Sequence, residues 1–249
     1  MLDFVWIYAK PFSFFAKHKT WNELEYSIKS VRKNYPNAVC WVVGDDPELD
    51  VNFIKTDRVI THPSNHPIDI DVIRKFRTII ESDINEEFVL MYDDIFILKP
   101  ITRKDLEITY ARCMVDNVDT YKRSWSTSYR RLWQKTYKII QDLRDDVYDW
   151  ETHLPRLLEK YPLQQILDAY SCDDTPLIAT SLYHAHFAEE TTVLTNEQSN
   201  LLNTQINIDK AFDCTFMNIM DETITLEFKN KMTELFGEGT SFKPAYRRH

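Results

Sequence analysis

Two periods of apolar spacing alternate along the first hundred residues. The opening DFVWIYA is apolar, aromatic and β-branched over seven residues, which predicts a buried strand. WNELEYSIKSVRKNYP then places Leu24, Ile28 and Val31 at i, i+4 and i+7, predicting a helix with Asn22 as its N-cap and Pro36 just past its end. AVCWVVG predicts a second strand, closed by the turn-like GDDP, and a third short strand falls around RVIT. The loop HPSNHPIDID leads into a helix over DVIRKFRTIIES and then into the strand of EEFVLMYDDIFIL. Strands alternating with helices predict an α/β fold whose central sheet is mostly parallel and flanked by helices. After Pro100 the alternation fades into a basic, aromatic segment at 121–144 and helix-like pieces at 154–170 and 223–236, a more helical second half of one domain spanning 1–249.

Asp93 and Asp94 break the apolar run FVLMYDDIFILKP. An uncompensated buried carboxylate is costly, so the pair needs a cation or several hydrogen-bond donors. In open α/β sheets, ligands bind beyond the carboxyl ends of the strands, and the two acids directly follow FVLMY. Mg²⁺ or Mn²⁺ suits such a position, since one or two carboxylates hold it while other ligands come from water and substrate phosphate. A structural reading stands beside this one, with Asp93 capping a turn and Asp94 paired with Arg74 or Lys75. Arg74 and Lys75, one helix upstream, serve either as phosphate ligands or as a solvated helical face. His62 and His66 in HPSNHP have no third histidine or cysteine nearby and carry little metal signal.

Composition narrows the classes. The 249 residues are 43% hydrophobic and 28% charged without low-complexity tracts, as in an ordinary globular protein. With glycine only at 44, 237 and 239, neither a dinucleotide fingerprint nor a Walker-type phosphate loop can be assembled. The four cysteines form no Cys-x-x-Cys pair and are expected to be reduced, mostly core residues. No apolar run is long enough to span a membrane, and MLDFVWIYAK lacks the marks of a secretory leader, so the expectation is a cytoplasmic protein. A net charge of -9 argues against a protein that coats nucleic acid, while leaving room for a local basic patch.

That patch is YKRSWSTSYRRLWQKTYKII. Tyr121, Trp125, Tyr129, Trp133 and Tyr137 recur every four residues, amid Lys122, Arg123, Arg130, Arg131, Lys135 and Lys138. One reading packs the aromatic stripe on the domain and leaves the cations solvated. The other makes Trp125, Arg130 and Arg131 an acceptor platform, with SWSTS as part of a lid.

Several blocks carry a family resemblance. NELEYSIKSVRKNYPNAVCWVVGDDPEL, IRKFRTIIES and EEFVLMYDDIFILKPI, followed by YDWETHLPRLLEK and FMNIMDETITLEFKNKMTELF, resemble the core of the Stealth-type (capsular polysaccharide) sugar-phosphate transferases and related bacterial and phage glycosyltransferase-like proteins. The resemblance implies a GT-A-like, Rossmann-like domain, with a nucleotide-sugar-binding half at 1–101 and an acceptor-side half at 102–249 that ends in a helix. It implies a UDP-sugar or similar donor, and Mn²⁺ or Mg²⁺ at Asp94 with support from Asp93. Arg74 and Lys75 would join Asp93 in holding the donor. His153 would be the general base, with Asp221 and Glu151 as rivals. His184 and His186 in SLYHAHF, at strand-like spacing, would share one face and line the acceptor pocket or pack. Tyr92 stands where a GT-A Asp-x-Asp motif has its first acid. The implied activity is sugar transfer to an acceptor hydroxyl, on a surface glycan or a hydroxylated phage DNA base. The alternatives are sugar 1-phosphate transfer to a polysaccharide and a non-catalytic module that binds glycan or nucleic acid.

Overall fold

In a computed structural model, residues 1–11, 21–64, 66–120, 127–194, 201–202, 208–219 and 224–240 are described. Trp125 and Asp221 lie outside the described residues, as do Tyr121, Lys122 and Arg123. The first half runs β1 (Leu2–Tyr8), α1 (Glu23–Asn34), β2 (Ala38–Gly44), β3 (Asn52–Lys55), α2 (Pro67–Glu81), β4 (Glu87–Met91) and β5 (Ile95–Ile97). The second half adds α3 (Arg103–Leu106), β6 (Tyr110–Ala111), α4 (Thr127–Leu143), β7 (Arg156–Glu159), α5 (Lys160–Ala169) and α6 (Ala179–Phe187). It closes with β8 (Thr192–Val193), β9 (Leu201–Leu202), α7 (Ile208–Phe212), β10 (Phe216–Ile219) and α8 (Leu226–Phe236).

The central sheet has the order β3-β2-β1-β4-β7. Its first four strands are parallel, and β7 closes one edge antiparallel to β4, with Leu90 opposite Arg156. β1 is buried on both faces, which is why it reads as a continuous apolar run. Its Leu2, Phe4 and Trp6 pack toward Leu24, Ile28 and Val31 of α1. Its Val5 and Ile7 share the opposite core with α2, α4, α5 and α6. The result is an α/β fold with helices on both faces of a mostly parallel sheet. Because β7 comes from the second half of the chain, both halves share that sheet and its core. Among the described residues no helix is long and apolar enough to cross a membrane.

Helix α1 begins as expected, with the Asn22 side chain accepting from the Glu25 N–H. Its other polar residues have a tertiary task. Ser27, Ser30 and Asn34 are all buried and form a seam along β5. Ser27 donates to the Ile95 carbonyl, the Ile97 N–H donates to Ser30 Oγ at 3.0 Å, and Asn34 Nδ2 donates to the Ile97 carbonyl at 2.6 Å. On its other edge β5 pairs with β10. The strand after Asp94 is therefore hydrogen-bonded on both sides although it lies at the end of its own three-stranded sheet, β5-β10-β9.

Two local expectations are corrected, and at Trp133 and Tyr137 the aromatic stripe follows its packing reading. RVIT is not a strand: β3 lies upstream, at NFIK, while the Val59 N–H donates to Asp71 Oδ1 and the Arg58 side chain turns back to Asp45. The 154–170 piece is not helical throughout, because RLLE pairs with β4 before α5 begins. The aromatic stripe is a core element: Trp133 and Tyr137 are fully buried and stacked at 3.9 Å, with both polar atoms donating to Asp149. They are thereby removed from any stacking platform.

The seam can be tested. The Trp6 indole N–H donates to Ser27 Oγ at 2.8 Å, so Ser27→Ala strands a buried donor and a buried carbonyl. The expected loss is about 1–3 kcal/mol in urea denaturation, whereas the exposed Lys104→Ala should lie within about 0.5 kcal/mol of wild type.

Candidate active site

The chain steps outward from β1 to β2 and β3, then returns to place β4 on the other side of β1. That reversal opens a crevice at the carboxyl ends of β1 and β4. Tyr8 ends β1, and Asp93 and Asp94 follow β4. Burial pushes the Tyr8 hydroxyl above the usual phenol range, and the negative charges of Asp93, Asp45 and Glu23 add to it, partly offset by Arg58. Asp45 follows β2 and is held by Arg58 and by the Lys10 N–H at 2.8 Å. β2 ends in glycine for a steric reason: at φ 135° a Cβ on Gly44 would stand 2.0 Å from the Tyr8 carbonyl oxygen. Tyr8, Glu23, Asp45 and Arg58 were not singled out from the sequence. The available signal was GDDP, an acidic turn past β2 in the same relation to the sheet as Asp93-Asp94 past β4.

Asp94 sits in the turn between two sheets. The turn is closed by the Ile95 N–H donating to the Tyr92 carbonyl at 3.2 Å. Asp94 Oδ2 lies 3.2 Å from His153 Nδ1, while Oδ1 is buried without a hydrogen-bond partner among the described residues. His153 has left-handed backbone, φ 47°, and its ring stacks on Tyr92 with centroids 5.3 Å apart. Tyr92 thus supplies a ring wall at the position where an Asp-x-Asp motif would have its first acid. Burial drives its hydroxyl up to about 12, with Arg156 opposing and Glu151 and Asp94 reinforcing the shift. From the other side, β10 places Asn218 opposite Ile95 and donates the Ile219 N–H to the Asp94 carbonyl. Asn218 Oδ1 is a second buried oxygen without a partner among the described residues.

Among the described residues no group of three His, Cys, Asp or Glu side chains is arranged to hold a metal. The unpartnered Oδ1 of Asp94 nevertheless fits a hard divalent ion whose remaining ligands are water and substrate phosphate, an arrangement that needs only one or two carboxylates.

The other expected residues are distributed differently. Lys75 is buried and committed to Asp71, and Arg74 is exposed, donating to the Asp57 carbonyl at 3.3 Å. Arg74 thus points to the region after β3, whereas the Lys75 stem packs against Gly44 beside the Tyr8 carbonyl; the cation that acts on the Tyr8 hydroxyl is Arg58. Glu151 is buried and receives Thr180, Ser181 and Arg156 on Oε1 and Tyr129 on Oε2. A carboxylate so engaged ties α4, α6 and β7 together inside the core. His184 and His186 lie on α6, a helix, so spacing by two sends them to different faces. His184 is buried near Trp150, whereas His186 meets the Tyr170 hydroxyl at 2.7 Å on the surface. On α4, Arg130 donates to the Asp119 carbonyl at 3.4 Å and Arg131 is exposed.

Burial, then the charge of Arg156, lowers the His184 pKa from 6.5 to about 3. Between those values the unfolded chain binds a proton that the folded chain refuses, so this contribution is intact above 6.5 and lost as pH falls toward 3. His184→Gln should therefore flatten the fall in stability on the acid side, read as urea midpoints at about pH 7 and about pH 4.5. An unchanged difference between the two midpoints would contradict a neutral, buried His184.

Neither a protein-family model nor a curated protein matches the chain. Among solved structures, the galactosyltransferase LgtC in complex with donor and acceptor sugar analogues is similar over 95% of both chains, at 10% identity and a TM-score of 0.48. An active-site variant of LgtC gives a TM-score of 0.49 over the same shares, also at 10% identity. The glycosyltransferase GlyE of Streptococcus pneumoniae TIGR4 is similar over 79% of this chain and 46% of its own, at 8% identity and a TM-score of 0.33.

Proposed function

We propose that the chain is a glycosyltransferase that moves a sugar from a nucleotide-sugar donor, such as a UDP-sugar, to an acceptor hydroxyl in the crevice between β1 and β4. The observation that carries this reading is Asp94, at the switch point of the sheet, with one buried oxygen unpartnered and the other facing His153. Mn²⁺ or Mg²⁺ held at Asp94 Oδ1, with Asp93 beside it, would supply charge neutralisation for a departing diphosphate. The acids around Tyr8 favour a cation at this edge of the sheet.

His153 is the base in this reading. Asp94 Oδ2 accepts from Nδ1–H and fixes the tautomer, which leaves Nε2 with a free lone pair to take the acceptor proton. Stacking on Tyr92 and the left-handed backbone hold the ring in place. Asp94 thus divides its two oxygens between ion and imidazole.

The test is a panel of nucleotide sugars with Mn²⁺ or Mg²⁺, read by mass spectrometry of the products. Asp94→Ala should reduce turnover to background and abolish any metal-dependent thermal shift. His153→Ala should cost about 10²–10⁴-fold in kcat and leave that thermal shift in place. Full activity in chelator, or wild-type kcat in His153→Ala, would sink these assignments. A phosphate retained on the acceptor would instead identify sugar 1-phosphate transfer.

The acceptor we propose is a hydroxyl on a glycan or on a hydroxylated DNA base. Arg131 and Lys135, exposed on α4, are the cations that support a polyanionic acceptor. Labelled DNA should bind at low salt, and replacing both residues with Gln should reduce the salt slope by about 0.9 per lost phosphate contact. No binding at low salt would leave the glycan.

A further inference from the structure

Beyond α8 the chain doubles back along α1. Gly237, in left-handed backbone at φ 79°, caps α8 by donating its N–H to the Thr233 carbonyl at 2.8 Å and reverses the direction. Lys33 Nζ donates to the Leu235 carbonyl at 2.8 Å, and Lys29 Nζ donates to the Glu238 carbonyl. Glu25 Oε2 then accepts both the N–H and the hydroxyl of Thr240, each at 2.6 Å. Glu25, Lys29 and Lys33 stand at i, i+4 and i+8, a single stripe of the helix. From Lys33 back to Glu25 the helix rises about 12 Å. Residues 237–240 thus form a strap that climbs α1 from its last turn to its first, toward the crevice edge of the sheet.

The stripe holds backbone groups for the most part, yet the strap has a sequence requirement. A Cβ on Gly239 would stand 2.7 Å from Tyr26 Cε2. Tyr26 has little room to yield, since its ring stacks on Trp21 with centroids 4.4 Å apart and its hydroxyl meets Thr233 Oγ1 at 3.0 Å. Two of the chain's three glycines therefore serve this strap, one for its turn and one for its close approach.

The forces on the two sides of Gly237 differ in kind. α8 is anchored by apolar contact, with Phe228 and Met232 fully buried in a cluster with Trp21, Tyr26 and Phe96. Past it, Gly237, Glu238 and Thr240 are exposed, and polar ties hold them to α1. Few buried apolar contacts and exposed hydrogen bonds mark the segments of a fold that open first. Glu25 is only 8% exposed and gathers the ties, with Thr240 on Oε2 and Lys29 on Oε1 at 2.9 Å. Burial pushes this carboxyl up, but the Thr240 hydroxyl, Lys29 and the Thr240 N–H outweigh it and hold the group below its usual 4.5. That contribution is complete above pH 4.5 and is lost as pH falls below it. Of the charged and titratable groups where the two elements meet, Lys29 bonds Glu25 directly, Tyr26 and Lys33 bond residues of α8, and Glu238 is exposed on the strap.

We propose that residues 237–240 are a releasable strap, a unit that opens and closes on α1 while α8 and the central sheet stay folded, with the Glu25 carboxylate as its lock. Closed, it covers the outer stripe of the helix whose other sides hold β1 and β5. It also fastens the first turn of α1, which carries Glu23 near Tyr8. On the glycosyl-transfer reading closure steadies one rim of the crevice; the opening itself does not depend on that reading.

The experiment is amide hydrogen exchange on the full chain, corrected for intrinsic rates and followed at Thr240 and in β1. In wild type the Thr240 amide should be protected, yet should exchange faster than the amides of β1. Glu25→Gln should speed exchange at Thr240 by at least about tenfold, the scale of a lost charge-assisted hydrogen bond, and leave β1 unchanged. Gly239→Val should do the same by driving the strap off Tyr26. Below pH 4.5 the protection of Thr240 in wild type should fall, and in Glu25→Gln that dependence should vanish. Unchanged exchange at Thr240 in both variants, or an equal pH dependence with and without Glu25, overturns the lock. Thr240 protected as strongly as β1, or β1 losing protection along with it, overturns release as a separate unit. Neither donor nor turnover enters these measurements, so a failed strap leaves the transferase reading standing and a failed donor screen leaves the strap standing.

Discussion

A buried polar seam decides where the chain goes after Asp94. Ser27, Ser30 and Asn34 of α1 give β5 the hydrogen bonds that a neighbouring strand would otherwise supply. Because β5 is gripped by a helix on one edge and by β10 on the other, the chain can leave the five-stranded sheet at Met91 and enter a second sheet at Ile95. The residues between must turn sharply, and Asp93 and Asp94 occupy that turn. Remove the seam, and β5 is an edge strand with unmatched backbone groups facing an apolar helix. The placement of the two acids follows from the satisfaction of β5 rather than from any preference of the acids themselves.

A second polar group works in the opposite sense. Asp149, Glu151 and Arg156 sit inside the core shared by α4, α6 and the sheet: Asp149 takes donors from α4, Glu151 takes them from α4, α6 and β7, and Arg156 donates to the Trp150 carbonyl and to Glu151. Tyr137 donates to Asp149 and meets Ser181, while its oxygen accepts from the Trp150 N–H. Burial and these carboxylates hold the Tyr137 and Tyr129 hydroxyls protonated far above the usual phenol range, so they act as donors at any physiological pH. The network fixes the 149–152 stretch immediately before His153. One polar system thus places Asp94, a different one places His153, and they meet at a single 3.2 Å contact.

Much of this was legible in the sequence, for physical reasons that differ between elements. β1, α1, β2, α2 and β4 are buried on one face or both, so their apolar periods report their structure, and the Asn22 cap follows from local chemistry. β7 escaped because RLLE is short and its partner is antiparallel and distant in sequence. Ser27 and Ser30 look like ordinary polar faces of a helix until β5 is docked on them. Alternation of two histidines reads as a strand, yet the apolar neighbours of His184 and His186 pack as a helix. The charges of Lys75 and Glu151 are plain in the sequence, but their partners, Asp71 and the Arg156 group, set where those charges act. Partners of this kind are set by tertiary packing, which no local window contains.

The left-handed backbone of His153 follows from the same geometry. A non-glycine residue at φ 47° carries a strain of about 1–2 kcal/mol that glycine would avoid. Retaining it makes physical sense where the side chain has to point against its neighbours. Leu154 belongs to the apolar cluster around β1 and α1, and Thr152 is buried on its other flank. An extended residue at 153 would follow the alternation of that stretch, whereas the left-handed turn lets the imidazole stack on Tyr92 and reach Asp94. The strain is held by the packing of Leu154 on one side and by the Thr152 N–H donating to the Trp150 carbonyl at 2.8 Å on the other. It is spent on an orientation and not on stability, which ties the backbone of this one residue to the chemistry proposed for its ring.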